Sequence, residues 1–307
     1  MTSDTVRSRV IDQPMFFPSG VGTYFGLVSM PPEGQLRDTG VILLSGTTTG
    51  STTIGRNRMW VTLGRDLAEK GYPAIRIDYA GLGESLSGGN IYDLDSPALN
   101  AFREAVAVVK AKGVQRVVVI GTCYGSRTAV TGAAEREDVA GVMLLAPPIR
   151  TANKGDGGAD HLALYASTGE LAKRAATVRT LRKLFRMQKA RRVARKVFVG
   201  KVKALFGRGP AQADGQALPT DPSPSFLEPF RTLAQRRTPM LVLFGEDDIF
   251  WTEWQTATDG RLGRILERAG DGIRVETVPG IVRGFTSLRI QSLASDRVIE
   301  WVEGFDR

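Results

Sequence analysis

Short apolar runs alternate with helix-forming segments over most of the chain. The apolar runs cover residues 41–44, 72–78, 117–120 and 139–145, and the pattern resumes at residues 240–244 and 273–278. Apolar side chains at helical spacing follow several of these runs, as Trp60, Leu63 and Leu67 do, and one helix is predicted over residues 253–269. This alternation predicts an α/β fold, a mostly parallel sheet flanked by helices. Residues 15–30, two apolar runs around a glycine-rich turn, predict an antiparallel hairpin.

The alternation stops between residues 149 and 237, where no strand is predicted. Residues 173–206 are helical in composition, and residues 207–225 are rich in Pro, Gly, Ser and Ala. We therefore predict a core formed by residues 1–148 and 238–307, with an inserted and mostly helical cap of residues 149–237.

The positive charge of the chain is concentrated in that inserted segment. The net charge is +9, but residues 173–208 hold fourteen Lys and Arg and no Asp or Glu, so the remainder of the chain carries −5. A local basic segment indicates either a solvated helix face or an anionic partner. The partners that fit are a coenzyme A thioester or an acidic carrier protein that presents one. An anionic membrane surface, to which a basic amphipathic helix can bind, is a less favoured partner. Nucleic acid is not expected, because few aromatic residues accompany the charge.

Composition excludes several classes of protein. The chain has one cysteine and one histidine, which leaves no intramolecular disulfide and argues against a Cys/His zinc site. We expect no cofactor. No apolar run approaches the roughly 18 residues of a membrane span, and the first residues do not resemble a signal peptide, so a cytoplasmic location is expected.

One stretch carries a pattern that is typical of nucleophilic catalysis. An apolar run ends in Gly121-Thr122-Cys123-Tyr124-Gly125, and a helix-forming segment follows. The spacing G-x-nucleophile-x-G at a sharp strand-to-helix turn exposes the central side chain, and glycine permits the close backbone approach that the turn needs. A lone cysteine is also often a small buried apolar residue, so the motif alone leaves both interpretations open.

These features together resemble the α/β-hydrolase fold family over residues 15–148 and 238–305. The family's elbow follows its fifth strand, and its acidic residue follows the seventh strand, where Gly245-Glu246-Asp247-Asp248 makes Asp248 the candidate. Residues 78–85 resemble the family's D-x-x-G-x-G-x-S loop. The resemblance also implies an oxyanion hole made by the backbone N–H groups of Tyr124 and Thr47.

Two positions depart from the common family pattern. The elbow carries Cys123 instead of serine, as in the dienelactone hydrolases, and the helix N-terminus is expected to lower the pKa of its thiol. The last loop reads Arg283-Gly284-Phe285 where the family commonly has His-Gly-Phe. Arginine keeps its proton in proteins, so Arg283 cannot act as the general base.

Three interpretations of function follow from this departure. Arg283 could pair with Asp248 and hold Cys123 as a thiolate for acyl transfer or for cleavage of an ester, thioester or lactone. Alternatively, Arg283 could bind a substrate carboxylate in a cyclase or lyase of secondary metabolism that forms no covalent intermediate. The third interpretation is a non-catalytic binding protein. His161 is either a surface residue of the cap or a replacement base that the cap brings over Cys123.

Overall fold

A computed structural model describes residues 9–19, 22–46, 52–87, 94–150 and 221–306. The chain divides into two compact units, one of residues 1–151 and 220–307 and one of residues 152–219. The second unit lies outside the described residues. His161 and the basic run of residues 173–208 fall within it, so their roles stay predictions.

The described part of the first unit is built on one sheet. In chain order its strands are β1 Ile11–Ser19, β2 Gly22–Met30, β3 Thr39–Leu44, β4 Ala74–Asp78, β5 Leu86–Ser87, β6 Arg116–Thr122, β7 Val139–Leu145, β8 Met240–Gly245 and β9 Ile273–Val278. Their order across the sheet is β1-β2-β4-β3-β6-β7-β8-β9, with β5 paired to β2. β1 and β2 form the predicted antiparallel hairpin, β2 runs antiparallel to β4, and every pair from β4 to β9 is parallel. The predicted α/β fold is therefore confirmed.

Seven α-helices occur in the described residues. They are α1 Met59–Glu69, α2 Leu99–Lys110, α3 Tyr124–Ala134, α4 Pro224–Gln235, α5 Ile249–Thr258, α6 Arg261–Ala269 and α7 Leu288–Glu303. Every residue of β3 and β8 is buried, whereas β9 at the end of the sheet is partly exposed. Continuous apolar strands of this kind are expected where helices cover both faces of a parallel sheet.

The single helix predicted over residues 253–269 is wrong, because two helices meet at Gly260. Its backbone leaves the helical region, with φ −108° and ψ −142°. A Cβ atom there would lie 2.4 Å from Oδ1 of Asp221, and the same oxygen accepts a hydrogen bond of 2.6 Å from the backbone N–H of Arg261. Asp221 thus satisfies a free N–H group at the start of α6. This contact joins residues 40 positions apart, which local periodicity does not reveal.

Helix α4 packs against the core, although the sequence places its residues in the inserted segment. Phe226 and Phe230 are fully buried and stack on each other at 5.4 Å, and both contact the ring of Trp254 edge-on. The start of α4 is held by Arg127 of α3, which donates 2.9 Å to Ser223 and forms a 3.1 Å ion pair with Asp95. The apolar face of α4 therefore belongs to the hydrophobic core of the first unit.

This packing predicts the effect of a truncation. Phe230→Ala should lower the free energy of unfolding by about 3–5 kcal/mol, because it removes a buried ring and leaves a cavity between α4 and α5. Arg231→Ala is the matched control, since this exposed neighbour should change stability by no more than about 0.5 kcal/mol. Urea unfolding followed by tryptophan fluorescence measures both. Equal stability of the two variants would show that α4 is not part of the core.

Candidate active site

The carboxyl ends of β6, β8 and β9 bring the sequence-predicted residues to one edge of the sheet. Cys123 follows β6, Asp248 lies three residues after β8, and Arg283 lies five residues after β9. Two observations link them: the backbone N–H of Arg283 donates to the Asp248 carboxylate, and the charge of Arg283 acts on the Cys123 thiol. The structure therefore assembles the three predicted side chains in one place, as parallel strand ends do in α/β folds.

Cys123 occupies a strained turn between β6 and α3. Its backbone has φ 52° and ψ −120°, a conformation that costs a residue with a Cβ atom about 1–3 kcal/mol. The flanking glycines are sterically required. A Cβ atom at Gly121 would lie 2.5 Å from the Gly125 carbonyl oxygen, and one at Gly125 would lie 2.1 Å from the Leu44 carbonyl oxygen. The sharp strand-to-helix turn predicted from the glycine spacing is therefore present, with Cys123 at its centre.

The requirement for Gly125 can be tested directly. Gly125→Ala should destabilise the protein by several kcal/mol, because the new methyl group meets the β3 backbone, which cannot yield as a flexible side chain can. Gly304→Ala is the control, since a Cβ atom there meets nothing within 4 Å and the local φ of −63° suits alanine. Thermal unfolding and the rate of Cys123 labelling provide the measurements. A stable Gly125→Ala protein with unchanged labelling would contradict the tight elbow.

The loop after β3 reaches the elbow from the other side. Ser45 and Gly46 follow Leu44 and are buried, and the Ser45 carbonyl oxygen would lie 2.6 Å from a Cβ atom at Gly125. The backbone N–H of Tyr124 faces the Cys123 thiol, and the Tyr124 hydroxyl donates 2.7 Å to the Ser96 carbonyl. These contacts fix the position of Tyr124, one of the two predicted oxyanion donors, beside Cys123. The other, Thr47, lies outside the described residues.

The thiol is less acidic than the sequence suggests. Cys123 is half-buried, and desolvation raises the pKa of its thiol above the ordinary value. The Tyr124 N–H and the Arg283 charge lower this pKa but do not offset the burial. Burial therefore opposes the lowering of the thiol pKa that the sequence predicts from the helix N-terminus.

Asp248 is fully engaged by the backbone around it. Its carboxylate is buried and accepts hydrogen bonds from the N–H groups of Gly245 at 2.7 Å, Val282 at 3.0 Å and Arg283 at 3.1 Å. Burial raises its pKa, and these hydrogen bonds and the Arg283 charge counteract the rise. Among the ion pairs of the described residues, none joins the Asp248 carboxylate to the Arg283 guanidinium. The expected side-chain pair does not form, because Asp248 binds the peptide backbone of the Arg283 loop instead.

The Arg283 side chain turns toward an aromatic ring. Its guanidinium carbon lies 5.4 Å from the centroid of Phe250, within the range of a cation–π interaction. Its Nε atom is buried and has no hydrogen-bond partner among the described residues. The position where the family commonly has a base is therefore filled by a permanent cation with an unused donor.

The loop from Asp78 to Ser85 is closed by its own hydrogen bonds. The buried Asp78 carboxylate accepts the N–H groups of Thr53 at 2.5 Å and Glu84 at 3.1 Å. A Cβ atom at Gly83 would lie 2.0 Å from Asp78 Oδ2, which explains the glycine. The hydroxyl of Ser85 closes the loop with a 2.6 Å hydrogen bond to the Asp78 carbonyl. The resemblance to the family loop thus corresponds to a structural turn.

Sequence reasoning missed a buried charged pair beside the site. Arg150 follows β7, Glu253 lies in α5, and their Nε and Oε1 atoms are 3.8 Å apart with side chains only 9% and 2% exposed. Glu253 shares the buried face of α5 with Phe250, Trp254 and Ala257. The sequence signal that could have revealed the pair is a glutamate at the spacing of the apolar residues of a helix. Desolvation raises the pKa of Glu253 to about 7, with Arg150 opposing the rise.

The buried glutamate makes stability depend on pH. The pKa of Glu253 is about 7 in the folded chain and 4.5 as an unperturbed glutamate, so the folded state binds the proton more tightly. Its contribution to stability is therefore greatest at low pH and declines by about 3 kcal/mol as pH rises through this interval. Glu253→Gln should remove that decline, measured as urea unfolding between pH 5 and 8. The exposed Glu228→Gln should keep it, and a Glu253→Gln curve parallel to wild type would contradict a buried proton site.

Comparisons with known proteins agree with this geometry. The family model described as the alpha/beta hydrolase family matches residues 41–280, so the chain belongs to that family. A search of curated proteins gives no significant match. The site's strained elbow and the acid after β8 are where this family is expected to place them.

Solved structures show the same fold at low identity. A proline iminopeptidase from Mycobacterium smegmatis is 18% identical with a TM-score of 0.56, covering 96% of this chain and 99% of that one. An esterase from Pyrococcus furiosus is 15% identical with a TM-score of 0.59, covering 96% and 92%. An alpha-beta serine hydrolase homologue from Coxiella burnetii is 13% identical with a TM-score of 0.54, covering 94% and 96%. At these identities the likeness shows the fold alone.

The described residues contain neither a candidate metal site nor a candidate membrane-spanning helix. Within the described ranges, no group of three or more His, Cys, Asp and Glu side chains could hold a metal ion. No described helix has the length and apolar character that a membrane crossing requires.

Proposed function

We propose that the protein is an enzyme of acyl chemistry that uses Cys123 as its nucleophile. The observation that carries this proposal is the strained elbow, in which Gly121 and Gly125 maintain an unfavourable backbone at Cys123. Strain of this kind persists where it presents a reacting side chain. Family membership supports the proposal, and solved neighbours that are described as an esterase and a serine hydrolase homologue point to the same reaction class.

In the described residues, Arg283 occupies the position where the family commonly has its base, and this departure restricts the substrate. Cys123 sulfur attacks the acyl carbon, the bond from that carbon to the leaving group breaks, and the thiol proton passes to the leaving group. Because Arg283 cannot accept this proton, the leaving group takes it unless His161 serves as the base. Proton uptake by the leaving group favours activated donors such as thioesters over simple esters. An amine, alcohol or water then takes the acyl group and regenerates the thiol. The N–H groups of Tyr124 and Thr47 would stabilise the negative oxygen in both steps.

A second function is favoured by the chemistry of the thiol. Burial raises the pKa of the Cys123 thiol, and Arg283, whose charge acts on this thiol, cannot remove its proton. A cyclase or lyase that forms no covalent intermediate would need neither an ionised thiol nor a base beside it. In that case, the elbow would shape the pocket and Arg283 would act on the substrate directly.

The partners remain proposals that rest on the sequence. The basic segment of residues 173–208 fits an acidic carrier protein or coenzyme A as the source of a thioester, and both are anionic. An anionic membrane surface is the weaker alternative. The expected cytoplasmic location fits a thioester donor of either kind.

Intact-protein mass spectrometry tests the covalent step. Incubation with acetyl-, butyryl- and octanoyl-coenzyme A should add one acyl group per chain, and Cys123→Ala should add none. Arg283→His should lose the adduct roughly 10²-fold faster, since an imidazole can activate water where arginine cannot. Failure to form an adduct together with full activity of Cys123→Ala on a natural substrate would transfer the assignment to the non-covalent enzyme. Ligand binding without any turnover would leave a binding protein.

A further inference from the structure

In the described residues, the Arg283 guanidinium forms no ion pair, although its charge acts on the Asp248 carboxylate. The Asp248 oxygens instead accept three backbone N–H groups. Glu246 and Asp247 are exposed and likewise form no ion pair with Arg283 in this part of the chain. A guanidinium beside the nucleophile thus keeps its positive charge available.

The donor geometry of Arg283 is also incomplete. Its Nε–H is buried without an acceptor in the described chain, and leaving a buried charged donor unpaired is costly. The ring of Phe250, 5.4 Å from the guanidinium carbon, supports the guanidinium. The guanidinium group is a rigid planar fork of N–H donors, and this fork matches the two oxygens of a carboxylate.

The position of this fork relates it to the reacting atom. Cys123 and Arg283 follow the carboxyl ends of β6 and β9, at the same edge of the parallel sheet, and the charge of Arg283 lowers the pKa of the thiol. A group held by Arg283 therefore lies on the side of the sheet where Cys123 is presented. We infer that Arg283 binds a carboxylate of the ligand, and that the site therefore takes compounds carrying a free carboxylate near the carbon that faces Cys123. The anion-binding step does not depend on covalent catalysis. Only the placement of a reactive carbonyl at Cys123 rests on the proposed function.

Binding to a protein that lacks the nucleophile tests this inference. In the Cys123→Ala protein, hexanoate should bind at least about tenfold more tightly than hexanamide, as expected for hydrogen bonds to a charged group. Arg283→Gln in the same background should reduce hexanoate affinity to that of the amide. Arg274→Gln, which removes an exposed arginine at the opposite edge of the sheet, should leave hexanoate binding unchanged. Calorimetric titration gives the affinities.

Three results of this titration would overturn the inference. They are equal affinity for hexanoate and hexanamide, hexanoate binding that survives Arg283→Gln, and no measurable hexanoate binding at millimolar concentration. Tighter binding of inorganic phosphate than of hexanoate would also overturn it, since a tetrahedral anion would then be the ligand. Because Asp248 is held by the backbone N–H of residue 283, Arg283→Gln should keep the loop folded.

A second measurement needs no variant at position 283. Iodoacetate and iodoacetamide alkylate thiols in the same way but differ in one carboxylate. The ratio of their rates at Cys123 of the wild-type protein should exceed the ratio for glutathione by about tenfold, because Arg283 holds the anionic reagent. An equal ratio would count against carboxylate binding. Failure of acyl-coenzyme A labelling leaves both readouts intact, so the inference and the proposed function fail separately.

Discussion

The close approach of Gly125 to the backbone of β3 is the contact on which the candidate site depends. The first turn of α3 lies so near the end of β3 that a Cβ atom at Gly125 would stand 2.1 Å from the Leu44 carbonyl oxygen and 2.6 Å from that of Ser45. Only this proximity brings the N–H of Tyr124 and the loop after β3 to the same point. The strained backbone at Cys123 follows from it, since the chain must turn from β6 into α3 without moving away from β3. The buried strands β3 and β6 hold both sides of the contact in place.

Desolvation governs the chemistry of the groups on this scaffold. It raises the pKa of both Cys123 and Asp248, and the two groups are compensated in different ways. Asp248 receives three backbone N–H groups, so it stabilises the loop after β9 independently of the side chain at position 283. Cys123 receives one N–H and a neighbouring charge. The acid of the site is therefore a structural anchor for the loop, whereas the thiol has fewer contacts that compensate for its burial.

The sequence pattern predicts those features of the protein that depend on neighbouring residues, namely the strands and the turn at Cys123. The strands emerge from the sequence because continuous apolar runs can only be buried in a covered parallel sheet, and the elbow emerges because glycine spacing reflects a backbone clash. The break between α5 and α6 cannot be predicted from local pattern, since it depends on a contact with the distant residue Asp221. The sequence also assigns the residues of α4 to the inserted segment, because the contacts of Phe226 and Phe230 with Trp254 form only in the folded chain. The raised pKa values of Cys123 and Glu253 also depend on tertiary burial, which no motif encodes.

Replacing the usual histidine by arginine changes what controls the site. An imidazole would make the nucleophile depend on pH near neutrality, whereas a guanidinium keeps its charge over the whole physiological range. The charge of Arg283 lowers the pKa of Cys123, so an anion bound to Arg283 weakens that effect and strengthens the hold of sulfur on its proton. Under the proposed function, a ligand with a carboxylate would react only if its own leaving group could take the proton. Selection among substrates would therefore depend on the charge and the leaving group of the substrate. The protein would supply the permanent charge of Arg283 and the strained turn at Cys123.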